Sequence, residues 1–209
     1  MVKNDVCYGG IIVAAGLSSR MGKFKPLLPY ADSTIIERSV ENLQQQTGVQ
    51  QIIVVVGYRG AEIEAILADK ENTKVVYNPN YRNGDMLESF QVGLGQIQQC
   101  DAAYFLPGDM PAISPETFQT VRETLEKTGA KVVFPTFNGE KKHPPLIRCN
   151  CFSAICNFRG KGGLRLVLQQ FDEYTVYAPV NDLGCTVDAD TPEEYNILLR
   201  YQEKNKSNG

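Results

Sequence analysis

The chain has 209 residues, 43% hydrophobic and 22% charged, which suits one large α/β domain with a substantial buried core. Its formal net charge of −3 argues against a general nucleic-acid binder, whose footprint is a basic surface. No apolar run reaches membrane-spanning length and the opening MVKNDVCYGG lacks a signal-peptide core, so a cytoplasmic protein with no membrane partner is expected.

Short apolar runs alternate with amphipathic stretches along the chain. A buried strand is predicted over Gly10–Ala14, followed by a small-residue loop and a helix over Thr34–Gln46. Strands over Gln51–Val56, Lys74–Tyr77 and Ala102–Pro107 alternate with helices over Ala61–Ala68, Met86–Gln99 and Pro115–Thr128. Strands at Lys131–Pro135 and Pro145–Arg148, a helix at Gly163–Gln170, strands at Thr175–Pro179 and Thr186–Asp188, and a helix at Pro192–Gln202 complete the series. Ser114-Pro115-Glu116 and Thr191-Pro192-Glu193 each put a cap residue before a proline at the first helical position, and Gly129 is placed to stop its helix. Strand-then-helix repetition predicts a three-layer α/β/α fold around a mostly parallel, Rossmann-like sheet. No linker divides the chain, so residues 1–209 are expected to form one domain.

The six cysteines, Cys7, Cys100, Cys149, Cys151, Cys156 and Cys185, contain no C-x-x-C pair and are expected to be reduced. The single histidine, His143, excludes a multi-histidine zinc site.

Chemistry concentrates at predicted strand ends, where open α/β sheets bind ligands. Ala14-Ala15-Gly16, Gly57-Tyr58, Asn78-Pro79 and Gly108-Asp109 lie at four such ends and are expected to meet in one cleft. The first is the most informative. An apolar strand runs into residues with almost no side chain, followed by Ser18, Ser19, Arg20, Lys23 and Lys25. Exposed backbone N–H groups beside Arg and Lys suit a phosphate. Neither the P-loop nor the dinucleotide glycine pattern is present. Asp109, delivered by an apolar strand, offers a hard oxygen suited to Mg²⁺ beside substrate phosphates. In Val187-Asp188-Ala189-Asp190-Thr191-Pro192, two carboxylates two residues apart at a strand end face the same side. Asp190 is also placed to cap the following helix.

The segment A-A-G-x-S-x-R-M-G-x-x-K-P-L-L, carried by Ala14, Ala15, Gly16, Ser18, Arg20, Met21, Gly22, Lys25, Pro26, Leu27 and Leu28, resembles the signature of the Rossmann-like nucleotidyltransferases, the group that includes the molybdopterin cytidylyl- and guanylyltransferases. The resemblance runs from Gly10 to Tyr195. It implies a nucleotide-binding part over about residues 9–115 and an acceptor-binding part over about 130–195 of the fold used for nucleotide-diphospho-sugar transfer. It implies nucleotide contacts from Val13, Ala14, Ala15, Gly16, Ser18, Arg20, Lys25, Gly57, Asn78, Ser89 and Asp109. Arg20, Lys25 and Asp109 are the implied catalytic groups, with Asp109, Asp188 and Asp190 as the metal-site acids, Asp188 being the preferred second ligand because Asp190 is placed to cap a helix. His143-Pro144-Pro145 is similar to the family's G-H-P segment, with Lys142 in place of the glycine, and Lys161-Gly162-Gly163-Leu164-Arg165 to its G-x-[GA]-x-R segment. His143 and Arg165 are therefore the implied acceptor contacts. Gly84-Asp85-Met86 departs from the family pattern, which has glycine directly before the methionine.

Cytidylyltransferases of the group read A-A-G at the loop, as here, and guanylyltransferases read L-A-G-G. The Ala15 methyl removes space a purine would need, so the expected reaction moves CMP from CTP onto the phosphate of molybdopterin, with Mg²⁺ as cofactor and pyrophosphate released. The alternatives are a GTP-using guanylyltransferase, a cytidylyltransferase for another phosphate such as methylerythritol phosphate or a sugar phosphate, and a non-catalytic carrier of the cofactor. A molybdenum hydroxylase is the client implied by the first reading.

Overall fold

The computed structural model describes residues 6–18 and 21–206. In chain order the elements are β1 (Tyr8–Ala14), the hairpin strands β2 (Pro29–Tyr30) and β3 (Ser33–Thr34), α1 (Ile35–Gln44), β4 (Val49–Val56), α2 (Gly60–Ile66), β5 (Thr73–Tyr77), α3 (Met86–Leu94), β6 (Ala102–Pro107) and α4 (Pro115–Thr128). Then follow β7 (Val132–Phe137), β8 (Glu140–Lys141), β9 (Leu146–Arg148), α5 (Phe152–Asn157), α6 (Gly163–Leu168), β10 (Thr175–Pro179) and α7 (Pro192–Lys206).

The main sheet runs β10-β7-β9-β6-β1-β4-β5, with β8 paired to β7. β5, β4, β1 and β6 are parallel, and so are β7 and β10. β9 runs antiparallel between β6 and β7. The mostly parallel expectation holds, with β9 and the two-residue β8 as the reversals. Alternation along the central strands sorts their side chains to two faces. Ile12, Val54 and Val56 join α1, α2 and α4 through Ile36, Val40, Ile63, Phe118 and Val121. Ile11, Ile53 and Val55 join α3, α5 and α6 through Phe90, Leu94, Ile155 and Val167. Helices therefore cover both faces, giving the three layers.

Local signals explain most boundaries. Thr34 and Glu37 form a reciprocal capping box at α1, with the Thr34 N–H donating to Glu37 at 2.9 Å. Ser114 accepts from the Thr117 N–H at 3.3 Å at the start of α4, and Gly129 closes that helix in the left-handed region at φ 68°. Thr191 accepts from the Glu194 N–H at 3.2 Å at the start of α7. Thr191, and not Asp190, is the cap.

Three expectations need correction. The predicted strand at Thr186–Asp188 is absent. Asp182 accepts from the Gly184 N–H at 2.8 Å and winds Leu183–Thr186 into a 3₁₀ turn. Val187 and Ala189 then pack with Leu198 of α7 outside the sheet. The helix predicted to Gln99 ends at Leu94, with Gly95 at its C-cap. The cysteine-bearing segment after β9 contains an unpredicted helix, α5. All six thiols are free, as expected. Among the described residues no helix is long and apolar enough to cross a membrane.

Candidate active site

Parallel register brings the carboxyl ends of β1, β4 and β6 level: Ala14 pairs with Val56 and Val13 with Pro107. The following loops are tied to those strands. The Gly108 N–H donates to the Val13 carbonyl and the Asn78 N–H to the Val56 carbonyl, each at 2.8 Å. Above them opens a cleft of about 330 Å³. Val13 to Ser18 form one wall, Pro107 to Asp109 another, and Lys25, Ser89 and Asp190 face them. A Cβ at Gly16 would meet nothing within 4 Å. The protein itself does not require glycine there, and the space it leaves belongs to the cleft. Ser18 sits in the left-handed region at φ 53° and accepts from the Lys25 N–H at 3.2 Å, so its hydroxyl also holds the far end of the loop.

Lys25 is the centre of the charge arrangement. It begins a 3₁₀ turn over Lys25–Leu27 and is buried. Its Nζ donates to Asp109 Oδ2 at 3.1 Å and to Asp190 Oδ1. Burial alone would pull the Lys25 ammonium down. Hydrogen bonds and charge from Asp190 and Asp109 outweigh that and raise its pKa above the usual lysine value. Asp188 does not line the cleft but lies close to both acids. Burial, then the negative charges of Asp109, Asp190 and Glu194, push its carboxyl above the usual range. With Thr191 as the helix cap, it is the Asp190 carboxylate, not that of Asp188, that turns into the cleft beside Asp109. Among the described lining residues, Asp85, Asp109 and Asp190 stand against the single cation Lys25. No group of three or more His, Cys, Asp or Glu side chains suited to a metal occurs among the described residues. Arg20 lies outside the described residues.

Gly57 and Asn78 stand behind the cleft wall. A Cβ on Gly57 would fall 2.4 Å from the Tyr81 side chain and 2.7 Å from the Ala15 carbonyl. Asn78 is 2% exposed and donates to the Ser89 hydroxyl at 3.0 Å. Both residues thus support lining residues from behind.

A second cavity of about 540 Å³ adjoins the first, sharing Asp85 and Met86. It brings His143 and Arg165 together with Lys141 and Lys142. Phe90, Phe134, Leu164 and Leu168 give it an apolar side. Lys142 is paired with Glu140 at 2.7 Å, and Lys141 lies over the Phe134 and Tyr177 rings at 5.2 and 4.9 Å. The buried Nδ1 of His143 has no hydrogen-bond partner. Burial pulls the His143 pKa below its usual value, against the opposing pull of the Phe105 backbone and the Asp109 charge, which favours the neutral ring. Tyr81, which packs on Gly57, and Phe134, in the acceptor-side cavity, were not legible as site residues. Their only sequence signal is an aromatic ring, which is equally a core signal.

Residues 10–175 match the MobA-like NTP transferase domain. Over 194 residues the chain is 32% identical to the molybdenum cofactor cytidylyltransferase of Escherichia coli K12, covering 92% of this chain and 96% of the relative. Over 136 residues it is 30% identical to a probable molybdenum cofactor guanylyltransferase of Bacillus anthracis, covering 65% and 64% of the two chains. In fold it is similar to a nucleotidyl transferase from Methanothermobacter thermautotroptrophicus, with a TM-score of 0.81 at 22% identity over 95% of this chain and 99% of that one. With the strand-end cleft, its central lysine and the paired acids in place, the chain belongs to the MobA-like NTP transferase family.

Proposed function

We propose that the protein transfers CMP from CTP to the phosphate of molybdopterin, or of the molybdenum cofactor built on it, and releases pyrophosphate. The observation that carries this reading is the pairing of two adjoining cavities. One is a loop-walled cleft with Lys25 and two acids, the other a larger cavity with apolar walls and a cationic margin. Similarity to the Escherichia coli cytidylyltransferase over nearly both full chains supports the same choice of substrates. Residues of about 9–115 supply most of the nucleotide side and about 130–195 most of the acceptor side, with Asp190 crossing between them.

The donor set fits a divalent metal. Asp109 and Asp190 converge on one point, marked by Lys25 Nζ, and offer hard carboxylate oxygens. Mg²⁺ takes one or two carboxylates with the rest of its shell from phosphate and water, so no third acid is needed. Bound there, it supplies Lewis-acid polarisation of the phosphoryl oxygens and neutralises developing charge. The chain's own groups do the rest. The loop from Ala14 to Ser18 borders the triphosphate, and Arg20 and Lys25 counter its charge. Arg165, exposed on the margin of the second cavity, holds the anionic end of the acceptor, and His143 presents a neutral ring to its body. The acceptor phosphate oxygen attacks the α-phosphorus in line, the α–β bridging bond breaks, and pyrophosphate carries the electron pair away.

In the cell this reading places the reaction in the cytoplasm and a molybdenum hydroxylase as the receiving client. A screen of CTP and GTP against molybdopterin, methylerythritol phosphate and sugar phosphates, reading pyrophosphate, tests it. Turnover with CTP and molybdopterin is expected. Turnover only with another acceptor, or none with any, would overturn it.

A further inference from the structure

We propose that Lys25 and a divalent cation compete for one position between Asp109 and Asp190, so that metal gains the acid pair only as nucleotide phosphates draw the lysine away. The inference rests on the metal role proposed above for these acids. Lys25 Nζ bonds an oxygen of each carboxylate, so a cation held by the same two oxygens would occupy the same space. The three side chains are 11%, 21% and 24% exposed, which leaves water little room to screen two cations from each other.

The rest of the lysine is anchored. Its backbone N–H donates to Ser18 and its carbonyl accepts from the Leu28 N–H at 3.0 Å. Only the flexible four-carbon stem is free to move its charge. The charges point to a linked exchange. A dication entering while the lysine stayed would put two positive centres against the same two carboxylate oxygens. A triphosphate at the cleft wall gives the lysine a second set of anionic oxygens, and the dication then balances the vacated acid pair. Nucleotide and metal therefore enter together, and the acid pair is closed to metal alone.

Mn²⁺ binding followed by electron paramagnetic resonance on the full chain tests this without any turnover. The unmodified protein should bind Mn²⁺ weakly alone and far more tightly with saturating CTP. Lys25→Met and Lys25→Gln, which remove the competing charge, should bind Mn²⁺ alone about tenfold or more tighter than the unmodified protein. Lys25→Arg, which keeps the charge, should stay weak. The two neutral variants guard against one failing to fold. The measurement on the unmodified protein needs no variant at all, and equal Mn²⁺ affinity with and without CTP would overturn the competition. Unchanged Mn²⁺ affinity in folded Lys25→Met, with binding weakened in Asp109→Asn, would overturn it too while leaving the metal site standing. Undiminished binding with CTP in both Asp109→Asn and Asp190→Asn would instead remove the metal site from the proposed function, and the competition with it.

Discussion

Asn78 donates from its side-chain amide to the Ser89 hydroxyl at 3.0 Å, joining the loop after β5 to α3 behind the cleft. Its Oδ1 accepts from the Asn80 N–H at 2.9 Å. The amide is thus used within the protein. Asn78→Ala leaves the buried Ser89 hydroxyl without this partner and hands the exposed Asn80 N–H back to water, and should cost about 1–3 kcal/mol. The expected result is a lower unfolding midpoint in urea, together with a raised KM for nucleotide as Ser89 loses its support. An unchanged midpoint would return Asn78 to a direct nucleotide contact.

Gly57 carries the next prediction. Its α-hydrogen faces Tyr81 and the Ala15 carbonyl, where a methyl has no room. Gly57→Ala should push Tyr81 or the β1 loop out of place. Nucleotide binding is expected to weaken more than overall stability falls, measured by titration calorimetry with CTP beside thermal melts.

Asp109→Asn keeps the size of the side chain and removes its charge. Turnover should fall by about two orders of magnitude or more, the scale of losing a principal charge-stabilising group. Circular dichroism should match the unmodified protein. Near-normal turnover would take Asp109 out of the reaction.

Base choice is expected to turn on Ala15, which is 4% exposed and lines the cleft. Its methyl narrows the space beside the loop. A steric difference of this size is worth about 1–3 kcal/mol, or about ten- to two-hundred-fold in kcat/KM. The unmodified protein should prefer CTP to GTP, and Ala15→Gly should relax that preference without reversing it. Equal use of the two nucleotides by the unmodified protein would refute the steric argument.

His143 provides a pH signature. Its pKa is depressed in the folded protein, mainly by burial. As pH falls, the unfolded chain takes up this proton first, near the ordinary value of about 6.5. The contribution of the neutral ring to stability is therefore whole above that value and lost progressively below it. Between pH 7.5 and 5.5 the unmodified protein should lose more unfolding free energy than His143→Gln. Parallel losses in the two proteins would show that His143 does not titrate this way.

Local apolar periodicity and turn chemistry made most main-sheet strands and their covering helices legible in the sequence, together with the cap at Ser114, the stop at Gly129 and the meeting of Ala14-Ala15-Gly16 with Gly108-Asp109 in one cleft. The sequence also marked Lys25 and Asp109, whose surroundings are contiguous motifs. The remaining features depend on residues far apart in the chain. The Ser114 N–H and the Thr117 hydroxyl both donate to one Asp182 oxygen and fix that carboxylate where its other oxygen accepts from the Gly184 N–H and turns the expected strand. Local patterning carries no trace of those long-range bonds. Which of Asp188 and Asp190 lines the cleft turned on the path from that turn into α7, and on Lys25 lying 165 positions away from Asp190 in sequence. The supporting roles of Gly57 and Asn78 likewise depend on Tyr81 and Ser89 packing against them, which is a property of three-dimensional contact and not of spacing.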